Sequence, residues 1–189
     1  MPLKLIEIIS EIDRPISLSE AKAHLRLDFS DEDDLVSIYL DAAIQAASDR
    51  LQRALMPARY LLALPAFKPS IDLHMPPVMS VDSVKYIDVD GVQQTLASTA
   101  YQVDTVTEPA RLVPLPGQAW PSTQPAHIQA VGIQYTAGYD RGNIPLPIKQ
   151  WILLALGDMY QNRGRSADRP VVPQGFADSL LDTYRVWSL

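Results

Sequence analysis

The sequence predicts an α+β protein, with helices toward both ends of the chain and a block of short antiparallel strands between them. Apolar residues recur at helical spacing from about residue 18 to residue 55, change to short β-like runs between Arg59 and Tyr135, and return to a helical pattern at residues 148–160. Most prolines sit in or beside the middle block, at turns and edges where a missing N–H costs little. Strands and helices segregated in this way indicate α+β rather than α/β. The expected architecture is a small bundle of about four helices, formed by residues 16–57 and 145–187, with a β-rich insertion at 58–137, all within one domain spanning 1–189.

The first helix is expected from about Leu18 to Leu25. Ser17-Leu-Ser-Glu20 is a capping box, in which the serine accepts from the backbone while Glu20 reaches back. A second, longer helix is expected to begin at a cap on Ser30 or Asp31 and to run to about Leu55, stopped by Pro57. Asp31, Glu32, Asp33 and Asp34 place negative charge where the helix dipole favours it. Val36, Leu40, Ala43, Ala47, Leu51 and Ala54 trace one stripe, whose small alanines permit close packing.

Strands are expected at Tyr60–Leu64, Val78–Val89, Gln93–Leu96, Tyr101–Asp104, Ala110–Val113 and His127–Tyr135. Asp90-Gly91 between two apolar runs predicts a hairpin with a type I′ turn. Pro147 then suits the first turn of a helix over 148–160, IKQWILLALGDMY, in which nine of thirteen residues are apolar. A helix this apolar has to be covered on several sides, and it is far shorter than the roughly 18 apolar residues of a membrane span. It belongs in the subunit's own core or against other copies. A last short helix is expected over about Phe176–Val186, with Phe176, Leu180, Leu181, Tyr184 and Trp187 as its apolar set.

Hydrophobic residues make up 47% and charged residues 20% of the 189, which is the composition of a globular chain. With no cysteine there are no disulfides and no thiolate chemistry. The net charge of −6 opposes generic binding to phosphate backbones, and only the C-terminal third lacks an excess of acid. Residues 1–15 carry Glu7, Glu11 and Asp13 and do not resemble a signal peptide.

Chemistry-bearing patterns are sparse. His24, His74 and His127 lack metal-type spacing. Asp88-Val-Asp-Gly91 opens like a calcium loop, but VQQTLAS after it supplies neither further oxygen ligands nor a closing glutamate. No glycine-rich phosphate loop, Walker sequence or G-x-S-x-G elbow is present. No catalytic, metal-binding or cofactor-binding residue is therefore assigned. Arg163, Arg165 and Arg169 form the one cationic cluster and read either as a solvated loop or as a docking loop for an acidic partner or passing DNA.

Ser17-Leu-Ser-Glu-Ala-Lys-Ala-His-Leu-Arg-Leu-Asp28, the acidic start of the long helix, the hairpin Ser83–Gly91, Gly117-Gln-Ala-Trp-Pro121, Val131–Tyr139 and Pro145–Leu154 follow one another in a telling order. Together they resemble the head-tail connector (adaptor) proteins of tailed bacteriophages and prophages, in the variety with a β-rich segment inserted between helices. The resemblance runs from about Ile16 to Trp187. It implies a non-enzymatic virion protein that forms a homo-oligomeric ring beneath the portal protein, with a symmetry that follows the portal. Such a ring bridges head to tail and lines the DNA exit channel, meeting DNA only as passing cargo. Its location would be the virion's head-tail junction, and the host cytoplasm during assembly, with no membrane involved. A tail-side stopper or completion protein, or a phage-borne hydrolase or nuclease, stands as the alternative. Within this reading the subunit-interface candidates are Tyr39, Ala43, Ala47, Trp151, Leu153, Leu154, Leu156 and Met159. Candidates to face the portal or DNA are Arg163, Arg165, Arg169, Tyr184 and Trp187.

Overall fold

A computed structural model describes residues 3–9, 14–125, 127–162 and 175–187, excluding the side chains of Arg141 and Phe176. The chain divides into two compact units: a β unit, Met1–Ile12 with Met56–Tyr139, and a helical unit, Asp13–Leu55 with Asp140–Leu189. The fold is α+β, as the segregated pattern predicts.

Four helices form the helical unit: α1 Leu18–Leu25, α2 Asp33–Leu51, α3 Leu146–Gln161 and α4 Gly175–Asp182. The expected capping box of α1 is complete, with the Glu20 N–H donating to Ser17 Oγ and the Ser17 N–H donating to the Glu20 carboxylate at 2.7 Å. Helix α2 departs from expectation at both ends. Its N-cap is Glu32, which makes no side-chain cap bond, and Asp33 in its first turn instead meets Lys22 of α1 at 2.5 Å. It ends at Leu51 rather than Leu55, because Gln52 turns left-handed at φ 55° and its N–H closes on the Ser48 carbonyl. Pro57 is thus not the terminator. Helix α4 also stops early, and the chain after it is extended enough for the Val186 N–H to donate to the Leu51 carbonyl at 3.0 Å.

Val36, Leu40, Ala43, Ala47 and Leu51 on α2 are fully buried, as are Ile148, Ile152 and Leu156 on α3. Each large aliphatic chain in such a set contributes roughly 1.5–3 kcal/mol on burial. Ala43 and Ala47 present only a methyl group each, which leaves room for a neighbouring helix to come close.

The β unit holds two sheets. The larger has the order β1-β2-β8-β4-β5, with β1 Leu3–Ile8, β2 Ala58–Leu64, β4 Val78–Ile87, β5 Gln93–Leu96 and β8 Val131–Ala137. Every neighbouring pair in it is antiparallel. The smaller has the order β3-β7-β6, with β3 Ile71–Leu73, β6 Tyr101–Asp104 and β7 Ala110–Pro114. Register places Tyr60, Leu62, Val84, Ile133 and Tyr135 on one face of the larger sheet, and these are buried. Ile71, Leu73, Ala110 and Leu112 are the buried residues of the smaller one. The Tyr135 hydroxyl donates to the His74 carbonyl just beyond β3 at 2.8 Å, which ties the two sheets together.

Strands β1 and β3 were not among the expected strands, and β8 lies later than the expected 127–135. The hairpin β4-β5 is present, but its turn is not type I′. Only Gly91 has a positive φ, 81°, while Asp90 does not. The Asp88 N–H donates to the Val92 carbonyl and the Gly91 N–H to the Asp88 carbonyl, which is a three-residue loop ending in a left-handed glycine.

The Asp88 carboxylate holds that loop by accepting from Gln94 Nε2 at 2.8 Å and from the N–H groups of Val92 at 2.9 Å and Asp90 at 3.0 Å. These bonds, the one from Gln94 foremost, hold its pKa below the ordinary carboxylate value. A group depressed in this way stabilises the fold fully above its unfolded pKa and loses that contribution as pH falls through its folded pKa. In NMR the Asp88 carboxyl should titrate below ordinary aspartates, and Asp88→Ala should selectively loosen the hairpin amides to hydrogen exchange. Ordinary titration together with unchanged exchange would contradict this account of the turn.

Candidate assembly surfaces

The residues singled out in the sequence separate into three groups once burial is known. Ala43, Ala47 and Leu156 are fully buried and Trp151 is 9% exposed. They pack in the core of the helical unit, with Trp151 alone of the four keeping a small exposed area. Tyr39, Leu153, Leu154 and Met159 keep part of their surface and stay available to a partner. Arg163, Arg165 and Arg169 lie outside the described residues.

Two faces of α3 account for this split. Ile148, Trp151, Ile152 and Leu156 follow i, i+3, i+4, i+8 spacing and point inward, and the indole N–H of Trp151 donates to Asp178 of α4 at 3.4 Å. Leu153 and Leu154 fall outside that stripe. The solvent side of the unit adds further exposed apolar groups, with Ile38 at 63% and Leu146 at 77%. Isolated exposed aliphatics are ordinary.

The segment after α4 forms the other notable surface. Tyr184 and Trp187 lie in it, with Tyr184 half-buried and Trp187 exposed. Arg53 Nε donates to the Tyr184 carbonyl, and the Val186 bond to Leu51 follows, so the segment is fastened to the end of α2 through its backbone. Its side chains are left for other uses. The Arg185 guanidinium lies 4.4 Å above the Trp187 ring, and an open groove of about 610 Å³ is lined by Asp49, Arg50, Gln52, Arg185, Val186 and Trp187. Arg50 also pairs with Asp178 at 3.0 Å. Exposed Trp and Arg together are the residue types that anchor protein interfaces. The sequence pattern singles out Tyr184 and Trp187 as candidates but not the groove, since nothing in it shows that the chain returns to α2.

Some titrating groups among the described residues are shifted by burial. Burial lowers the His74 imidazole and raises the Tyr135 hydroxyl well above its ordinary value, and the latter is occupied in tying the two sheets together. Among the described residues, no three His, Cys, Asp or Glu side chains converge in a way that could hold a metal ion. No helix among them is long and apolar enough to cross a membrane.

Comparison with known proteins adds two findings. Residues 15–107 match the family model described as phage gp6-like head-tail connector protein. The whole chain also superposes on a chain in the neck of an empty GTA (gene transfer agent) particle computed with C6 symmetry, at a TM-score of 0.80 and 24% identity, covering 100% of this chain and 97% of that one. A chain in the neck of the native GTA particle computed with C12 symmetry gives a TM-score of 0.79 at the same identity and coverage. No curated protein matches the sequence.

Proposed function

We propose, from the premise that residues 15–107 of this chain belong to the phage gp6-like head-tail connector family, that the protein is a structural connector subunit working as an adaptor ring beneath a portal. The observation that carries the reading is the end-to-end fold match with a neck subunit, which spans both units rather than the family segment alone. A ring forms when a heterologous contact repeats through a rotation that closes. Tyr39, Leu153, Leu154 and Met159 are the partly exposed residues of the helical unit proposed to share in that contact. Tyr184 and Trp187, with the groove beside them, are proposed to meet the portal. The net charge of −6 suits a channel through which DNA slides without adhering, since like charge gives no long-range attraction.

Native mass measurement and electron microscopy of the purified protein, alone and mixed with its portal, test the reading. Annular particles with an opening wide enough for duplex DNA are expected in at least the mixture. A protein that stays monomeric and fails to associate with the portal at high concentration would remove the proposal.

A further inference from the structure

The two outer edges of the larger sheet differ in a way that a solitary molecule does not need. Among the described residues, β1 has β2 on one side and no strand on the other, and β5 likewise has only β4. Strand β1 reads LKLIEI, and Leu5, Ile6 and Ile8 in it, with Ile9 after it, are 47%, 43%, 44% and 45% exposed. Register puts Leu5 opposite Tyr60 and Ile8 opposite Ala58, so these two side chains continue the buried face of the sheet past its last strand, while Ile6 sits at the bulge between Leu5 and Glu7. Within β1 the guards are a bulge between Leu5 and Glu7 and two charges, Lys4 and Glu7, on an edge that natural sheets usually shorten, charge or break with proline.

The far edge offers the complementary half. Gln93, Gln94 and Thr95 of β5 are exposed, and Leu96 sits beside Val84 on the buried-face side. With five strands alternating in direction, β1 and β5 run the same way, so a copy related by rotation brings its β5 beside β1 without reversal. Charge agrees with this: in a chain of net −6, β1 carries one lysine and one glutamate and β5 carries no charge, which leaves these edges without the repulsion the rest of the molecule imposes. Glu7 is moreover held by Arg59 on the neighbouring strand.

We propose that the β1 edge of one subunit receives the β5 edge of the next, as a parallel strand-to-strand junction sealed by Leu5, Ile6 and Ile8. The junction rests on the ring reading and names a contact of that ring. It is heterologous, so it repeats around a closed assembly instead of ending at a dimer.

Because the chain has no cysteine, introduced thiols report without background. Ile6→Cys combined with Thr95→Cys, or with Gln94→Cys to allow for register, should yield a ladder of multimers on mild oxidation of concentrated protein or of portal-bound rings. Each single variant should yield no ladder. A double variant that remains monomeric, or Ile6→Cys alone dimerising as fully as the pair cross-links, would overturn the junction. In parallel, Ile6→Lys with Ile8→Lys should keep the circular dichroism of the parent and lose at least tenfold in self-association. Rings persisting in that variant would refute the junction while leaving the ring intact. A parent chain that forms no ring, free or on the portal, together with double variants that give no ladder, would remove both.

Discussion

Gly138→Ala should unfold the β unit or lower its melting temperature by well over ten degrees. Gly138 lies at φ 140°, a region open almost only to glycine, and a Cβ there would stand 2.3 Å from the Met56 carbonyl oxygen and 2.7 Å from the Pro57 nitrogen. Both obstacles are backbone, so no rotamer change relieves them. The Gly138 N–H also donates to the Pro77 carbonyl at 2.9 Å, which holds the peptide against retreat. Backbone strain of about 1–3 kcal/mol and overpacking of about 1–3 kcal/mol add to a sizeable part of the roughly 5–15 kcal/mol that stabilises an ordinary domain. Urea or thermal melts followed by circular dichroism measure it. Gly142→Ala, where a Cβ meets nothing within 4 Å, serves as the control and should melt like the parent. Equal melting of the two variants would show that the chain can part at Met56 and that the close approach is not needed.

The second large effect separates core from contact on a single helix. Leu156→Asp should abolish folding of the helical unit, because its side chain is fully buried and an isolated carboxylate there loses its hydration without gaining a partner. A loss above about 4 kcal/mol is expected, with the protein recovered as aggregate or as unfolded chain. Leu154→Asp, two residues earlier and partly exposed, should fold with a stability change of about 1 kcal/mol or less and instead weaken self-association. Thermal melts and sedimentation on both variants decide the matter. If Leu156→Asp folds, the helix is not packed as the burial indicates. If Leu154→Asp folds and assembles like the parent, the exposed face of α3 is not a subunit contact.

The most legible elements were those with a local cause. Ser17 and Glu20 are three residues apart and cap α1 without help from the rest of the chain. The periodicity of Val36, Leu40, Ala43, Ala47 and Leu51 states a buried helix face, and the structure buries each of them. The apolar excess of residues 148–160 correctly demanded cover on several sides. It did not say which residues would be covered by the subunit itself, so Leu156 and Leu153 looked alike in sequence. Strand β1 was illegible for a similar reason. LKLIEI is short and nearly continuous in its apolar character, and only its pairing with β2, more than fifty residues away, makes it a strand. The turn at Asp90-Gly91 shows the limit on a smaller scale. The dipeptide announces a hairpin, while the Asp88 carboxylate and the bond between Asp88 and Val92 select the turn type.

By itself the sequence determined the α+β class, the main helices and most of the strands, the absence of thiol chemistry, and the likeness to head-tail connectors that the family match over residues 15–107 bears out. Those properties depend on composition, on periods of two and 3.6 residues, and on motifs whose parts lie close together in the chain. Tertiary structure alone decided which of the apolar residues are core, that the segment before Trp187 returns to the end of α2, and that the larger sheet keeps an apolar edge at β1. Burial is a property of what surrounds a side chain, and the surroundings of Ile6, Leu156 and Trp187 include residues distant in the chain. A pattern along one strand or helix records that a residue is apolar; only the completed fold shows whether water still reaches it.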